Sequence, residues 1–142
     1  MKFEYLEFTI AHYEKVIDLW KRSEGINVSS KMDTKEKIAI FLQHNPGMSF
    51  VCMEKASGDL AGCVLSSYDG RRGFIVHLAV EKTFRGNAIG RTLVERCLNE
   101  MKKKGAMRCL INVVSDNAIG KTFWKKIGWT ERDDVKPFSI DL

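Results

Sequence analysis

Phe74-Ile75-Val76-His77-Leu78-Ala79-Val80, Glu81-Lys82-Thr83-Phe84, Arg85-Gly86-Asn87-Ala88-Ile89-Gly90 and then Arg91 to Met101 form the stretch that decides the fold. The first seven residues are a short apolar, β-rich run that stops where charged and turn residues begin, which predicts a strand. Leu93, Val94, Cys97, Leu98 and Met101 share one face at a 3.6-residue period, which predicts an amphipathic helix. A strand feeding a glycine-bearing turn that opens a helix is a ready anion site. The turn's N–H groups converge with the orphan donors of the first helical turn, and the helix dipole adds positive potential. Glycine lets the backbone approach a phosphate with no Cβ in the way, and Arg85 and Arg91 flank the turn with positive charge.

Two familiar phosphate patterns are absent. There is no Gly-x-x-x-x-Gly-Lys-Ser/Thr and no Gly-x-Gly-x-x-Gly, so nucleotide hydrolysis and dinucleotide binding lose their main support. What Arg85-Gly86-Asn87-Ala88-Ile89-Gly90 after Leu78-Ala79-Val80 does resemble is the acyl-coenzyme A pyrophosphate loop of the GNAT superfamily of N-acetyltransferases. That loop reads Arg/Gln-x-x-Gly-x-Gly/Ala after a strand often ending Leu-x-Val. The departure is Ala88, which stands where the middle glycine usually sits.

The chain has 142 residues, enough for one domain with a real core, and we expect a single domain over residues 1–142. It is 44% hydrophobic and 29% charged with two prolines, an ordinary globular balance. No apolar run approaches the ~18 residues of a membrane span, and Met1-Lys2-Phe3-Glu4-Tyr5 lacks the apolar core of a secretion signal. Cytoplasmic location and no membrane partner are the resulting expectations. Cys52, Cys63, Cys97 and Cys109 are far apart, without Cys-x-x-Cys or histidine at zinc-ligand spacing, so reduced, buried thiols and no metal are expected. A net charge of +5 permits a polyanionic ligand. Lys102-Lys103-Lys104 is explained as the cationic last turn of the central helix, ended by Gly105, and no nucleic-acid-reading signature accompanies the charge.

Along the chain, residues 2–10 predict a first strand. Tyr13, Val16, Ile17 and Trp20 predict a first helix over 11–22, and 23–31 reads as a loop. Asp33-Thr34-Lys35-Glu36 resembles a helix start, with Asp33 as N-cap, leading into Ile38, Phe41 and Leu42 and stopping before Asn45-Pro46-Gly47. This loop–helix region is the expected wall of an acceptor pocket. Residues 49–54 and 60–66 read as a hairpin turning at Ala56-Ser57-Gly58-Asp59, and Tyr68-Asp69-Gly70-Arg71-Arg72-Gly73 is the next turn. Residues 107–114 predict a buried strand parallel to the central one. Ala118, Thr122, Phe123 and Ile127 mark a last helix ended by Gly128, and 129–135 and 136–142 are expected as two closing strands.

The last helix supplies a second resemblance. Asn117-Ala118-Ile119-Gly120-Lys121-Thr122-Phe123-Trp124-Lys125-Lys126-Ile127-Gly128-Trp129 is similar to the family's closing motif: Asn, a small residue three further on, Leu/Phe-Tyr, a basic residue, then Gly-Phe/Tyr/Trp. Two motifs in the expected order extend the resemblance over nearly the whole chain, toward compact stand-alone bacterial members that also carry Tyr-Asp-Gly-x-Arg-Gly. The implied fold is α/β (α+β), a mixed, mostly antiparallel sheet of about six to seven strands with a splayed parallel pair and about four helices. The implied cosubstrate is acetyl-CoA. Its pantetheine arm would lie against Leu78, Ala79 and Val80, and its pyrophosphate against Arg85, Gly86, Asn87, Ala88, Ile89, Gly90 and Arg91. Asn117, Lys121, Phe123 and Trp124 would supply further contacts.

The implied reaction is direct attack of a neutral amine on the acetyl thioester, in a ternary complex. A base or water relay must first take the ammonium proton. The glutamate that some family members carry early in the central strand is missing from Phe74-Ile75-Val76-His77. Histidine as a residue type suits the role and His77 is a candidate, although a lone histidine on a buried strand is more often a hydrogen-bonded core residue. Asp69 and Glu54 are comparable candidates, Asp69 doubling as a turn former before Gly70. Trp124 occupies the position of the tyrosine that commonly protonates the leaving thiolate, and its indole is no practical acid; Tyr68 or water is the substitute, and packing is the plain role for the tryptophan. The acceptor stays open between a small molecule, an amino acid and a protein N-terminus or lysine. A homodimer is also left open. The alternative function is a non-catalytic acyl-CoA-binding or regulatory domain.

Overall fold

Five strands make one mixed sheet in the order β1-β2-β3-β4-β5. β1 (Phe3–Glu7), β2 (Phe50–Glu54), β3 (Leu60–Tyr68) and β4 (Gly73–Val80) pair antiparallel in succession, and β5 (Cys109–Ile111) pairs parallel to β4. The helices are α1 (Tyr13–Arg22), α2 (Lys35–His44), α3 (Ile89–Lys104) and α4 (Ala118–Lys126), with single 3-10 turns at Ile10–His12 and Lys82–Phe84. The computed structural model describes all 142 residues, which form two compact units, Met1–Asn112 and Val113–Leu142.

In the first unit the period-2 alternation of β3 sorts its side chains to two faces. On one face Cys63 and Leu65 join Val16, Leu19 and Trp20 of α1, Ile38 of α2 and Val51 of β2 in the main core cluster. On the other, Gly62 lies against Ile89 and Leu93 of α3. Val16 and Trp20 are fully buried, as their i, i+4 spacing requires. α3 ends as its sequence dictates: Gly105 adopts the left-handed conformation (φ 98°) and its N–H returns to the carbonyls of Lys102 and Met101.

Several elements depart from the sequence expectation. The N-cap of α2 is Thr34, whose hydroxyl accepts the Lys37 N–H at 3.2 Å; Asp33 is free to point elsewhere. The sheet has five strands. Nothing after β5 is a strand, so neither 129–135 nor 136–142 forms the expected closing strand. Residues Glu131 to Asp134 are four consecutive charges, paired locally through Lys125–Glu131 and Arg132–Asp134, and Pro137 removes a ladder donor. β5 is also shorter than expected, because its ladder with β4 stops at Ile75↔Ile111.

In the second unit, Asn117 caps α4: its side-chain oxygen accepts the Gly120 N–H at 3.0 Å. A Cβ on Gly120 would overlap the Asn117 side chain, which explains why a small residue stands three positions after the asparagine. Trp124 is 7% exposed and packs between Phe123 and Trp129, with ring centroids 5.2 and 4.6 Å away.

Candidate active site

The site is built from an irregularity in β4. Its register with β3 runs Gly62↔Val80 and Cys63↔Ala79, then resumes at Leu65↔Val76, so His77 and Leu78 together oppose Val64 alone. This is a β-bulge, and its geometry falls on a residue other than glycine: His77 has φ 54°. The bulge bends β4, and the ladder to β5 ends just before it, at Ile75. From Val76 onward β4 has no partner on that side. Glu81 donates its N–H to Ala61 on the β3 side at 2.9 Å. By alternation the Val80 N–H faces the other way, along the unpaired edge. The edge along Leu78, Ala79 and Val80 thus offers the Val80 backbone groups to an extended amide chain, while Ala79, opposite Cys63, turns its own toward β3.

The turn that follows is shaped to expose donors. Gly86 (φ 86°) and Ala88 (φ 58°) both lie in the left-handed region, and Asn87 between them ties its side-chain N–H₂ to the Phe84 carbonyl at 2.9 Å. Ala88 is the N-cap of α3 and offers no side-chain bond, so the first-turn N–H groups of α3, including those of Ile89, Gly90 and Arg91, carry no N-cap side chain. Its own carbonyl accepts both the N–H and the hydroxyl of Thr92, at 3.0 and 2.8 Å. Residues Arg85 to Ala88 are exposed, and a Cβ on Gly86 would meet open space. No acidic residue stands in the first turn of α3. Glu81 is neutralised by Arg22 at 2.7 Å, Arg91 pairs with Glu95 and Lys82 lies 3.9 Å from Glu24, leaving Arg85 as the cation of the turn without an ion pair. Leu19, Arg22, Ser23, Val80, Glu81, Lys82 and Arg85 line a cavity of about 230 Å³ at the exit of β4.

The four candidates for proton transfer do not meet. Tyr68 and Asp69 lie at the β3–β4 turn, the end of β4 opposite the glycine turn. The Asp69 carboxylate accepts the N–H groups of Arg72 and Arg71 at 2.7 and 2.8 Å, and these bonds hold its carboxyl below the usual range. Glu54 closes the β2–β3 hairpin by accepting the N–H groups of Ala56 and Ser57. Both carboxylates are turn-forming groups. His77 is different. Its Nε2 lies 2.9 Å from Asp33 Oδ2, and its ring meets Trp20 edge-on with centroids 4.8 Å apart. Asp33 is 7% exposed, and was hidden in the sequence because Thr34 beside it carries an equally good capping oxygen.

In the second unit, Asn117 is committed to the α4 cap and Trp124 to its aromatic cluster; Lys121 and Phe123 are half-buried on the same helix.

The fold matches that of the PaiA N-acetyltransferase from Thermoplasma acidophilum solved with coenzyme A (TM-score 0.77, 22% identity, 94% of this chain and 92% of that one). It also matches glucosamine-6-phosphate N-acetyltransferase from Arabidopsis thaliana (TM-score 0.69, 21% identity, 99% and 100%). A chain of the NatC complex solved with Gag peptide and CoA is similar too (TM-score 0.75, 20% identity, 93% and 87%). The family model described as acetyltransferase (GNAT) family matches residues 13–129, from the first residue of α1 past the last turn of α4. With the bulged strand, the glycine turn and the capped last helix all inside that match, the chain belongs to the acetyltransferase (GNAT) family.

Proposed function

We propose that this chain transfers an acetyl group from acetyl-CoA to the nitrogen of a primary amine, with both substrates held together. The observation that carries the reading is the corner where bulged β4 loses its partner strand and gives way to left-handed Gly86 and Ala88 and an uncapped α3. A pyrophosphate needs converging N–H donors, positive charge and no obstructing side chain, and residues 85–91 supply all three. A pantetheine arm is an amide chain, and the free edge of Leu78, Ala79 and Val80 can pair with it as a strand would. The coenzyme A held by the PaiA neighbour supports the same reading. The roles of Asn117, Lys121, Phe123 and Trp124 in cofactor contact rest on the closing motif alone.

Acetyl-CoA supplies an acyl group already activated as a thioester. An ammonium, R–NH₃⁺, and acetyl-S-CoA give R–NH–CO–CH₃, HS-CoA and one proton. The chain's own part is to hold two reactants in one place, which makes a bimolecular step effectively intramolecular. The backbone N–H on the unpaired β4 edge would stabilise charge developing on the carbonyl oxygen. We assign the base to His77, since the side chains of the other two candidate bases, Asp69 and Glu54, are consumed by turns. A thiol with a pKa of roughly 8.5 leaves without a strong acid, so Trp124 in place of a tyrosine does not block turnover.

The acceptor is a small-molecule, amino-acid or peptide amine; the glucosamine-6-phosphate enzyme and the NatC complex with Gag peptide illustrate that range among its structural neighbours. Four free cysteines, three of them buried, suit a reducing cytoplasm, and no helix is long and apolar enough to cross a membrane. Thiol release from acetyl-CoA across a panel of amino sugars, amino-acid amides and short peptides tests the proposal. Release on at least one amine supports it. Tight acetyl-CoA binding without release on any would favour the second reading, a non-catalytic acyl-CoA-binding domain, which the buried Trp124 motivates.

A further inference from the structure

Asp33 is one of only four buried polar or charged residues, and no feature of the α2 cap needs it. Its Oδ2 accepts the Ser29 N–H at 2.9 Å and meets His77 Nε2 at 2.9 Å. Its backbone N–H donates to the Ser29 carbonyl at 3.0 Å, and its carbonyl accepts the Tyr13 hydroxyl at 2.6 Å. Burial and the neighbouring carboxylates of Asp33 and Glu14 push the Tyr13 phenol up, so it stays a donor. Four bonds thus fix one aspartate between the α1–α2 loop and the bulge of β4.

These bonds determine which ring nitrogen carries the hydrogen. A carboxylate oxygen that already accepts a backbone N–H meets the imidazole as an acceptor, so Nε2 must be the donor. In the neutral ring the lone pair is then on Nδ1. Nδ1 has no hydrogen-bond partner in the protein, and the only buried side-chain nitrogens or oxygens without one are Trp20 Nε1 and Arg72 Nε. Nδ1 is therefore open to solvent or to a substrate.

We propose that Asp33 is the positioning residue of His77: it holds the ring as the Nε2–H tautomer on the strained bulge and so presents Nδ1 as the proton acceptor for the amine. This rests on the acetyltransferase reading of the same site. In the step, an N–H bond of the acceptor ammonium breaks and its proton forms a bond to Nδ1. The amine nitrogen keeps the electron pair for attack, and the imidazolium formed lies against the Asp33 carboxylate until it loses its proton to solvent. Because the same carboxylate anchors Ser29, the loop expected to wall the acceptor pocket and the base are held by one group. Order in that loop and readiness of the base are thereby linked.

The test uses ¹⁵N-labelled full-length protein and long-range imidazole ¹H–¹⁵N spectra of the wild type and Asp33→Asn. It adds kcat and KM on the amine giving most thiol release, and acetyl-CoA affinity as a control for folding. The wild type is expected to show His77 as Nε2–H. Asp33→Asn, whose amide can accept or donate, is expected to show a mixture, with kcat down about 10- to 100-fold and acetyl-CoA affinity within twofold. His77→Gln is expected to lose kcat at least as severely. A wild type that does not bind acetyl-CoA overturns the transfer reading and this proposal with it. Normal binding with an Nδ1–H ring, or with unchanged kcat in Asp33→Asn, overturns this proposal alone.

Discussion

A Cβ on Gly62 would stand 2.9 Å from Ile89 Cγ2, closer than real side chains approach, and 3.1 Å from the Ala79 carbonyl. A glycine in the middle of β3 thus sets how near the first residue of α3 comes to the end of β4. Gly62→Ala must push Ile89 away and with it the N-terminal turn of α3. Overpacking of this kind costs about 1–3 kcal/mol, which thermal unfolding would read as a lowered Tm. Acetyl-CoA affinity is expected to fall in the same variant, since the displaced turn carries the proposed pyrophosphate donors. A drop in Tm with unchanged affinity would separate the packing role from the binding role.

Ala88 answers a different constraint. Its left-handed backbone (φ 58°, ψ 24°) costs an L-residue roughly 1–2 kcal/mol. Part of that is returned in the unfolded state, where alanine is less free than glycine. Ala88→Gly is therefore expected to stabilise the protein modestly, by about 0.5–1 kcal/mol in chemical denaturation, while acetyl-CoA affinity holds or rises. A loss of stability would mean that the turn tolerates the alanine without strain.

Asp69 was a candidate base in the sequence and is a turn former in the structure. Backbone N–H groups of Arg72 and Arg71 depress its carboxyl in the folded state. A depressed folded value makes its contribution to stability fully present above the unfolded carboxylate range, near 3.9. That contribution is lost as pH falls through the lower, folded value. Asp69→Ala is thus expected to be less stable than wild type at pH 7, the gap closing in strong acid, with kcat within twofold of wild type. A large loss of kcat in a folded Asp69→Ala would return Asp69 to the chemistry.

The cysteines give a prediction about reactivity. Burial pushes the thiols of Cys63 and Cys97 up to about 12 and that of Cys109 to about 11, and raises that of Cys52 as well. The thiolate is the reactive form. Iodoacetamide at pH 8 is expected to leave all four essentially unmodified in the native protein and to label all four after unfolding. Mass spectrometry as pH rises should find Cys109, the half-buried one, modified first. Rapid native labelling of Cys63 or Cys97 would contradict the buried placement.

Much of the first unit was legible because its signals are local. Of the α3 face, Leu93, Val94, Cys97 and Met101 are buried as the period required and Leu98 is half-buried, and Gly105 ends the helix where the lysine run stops. The bulge at His77 was not legible, since no glycine marks it: the strain is imposed by the pairing of β3 and β4, which is non-local. The inward turn of Asp33 is hidden from the sequence for a related reason. Asp33 and Thr34 present equivalent capping oxygens, and only the position of His77, 44 residues away, decides which of them turns inward. The tail after Gly128 shows the limit of pattern: Phe138, Ile140 and Leu142 alternate like a strand yet remain exposed.

The most direct measurement is calorimetric titration of acetyl-CoA into the full-length protein and into Gly86→Val. At position 86 the backbone has φ 86° and the added side chain would enter the open space above the turn. Wild-type binding in the micromolar range, weakened at least tenfold in a folded Gly86→Val, is the expected result. No binding to the wild type, or equal binding by the two proteins, would contradict the assignment of this turn as the acetyl-CoA site.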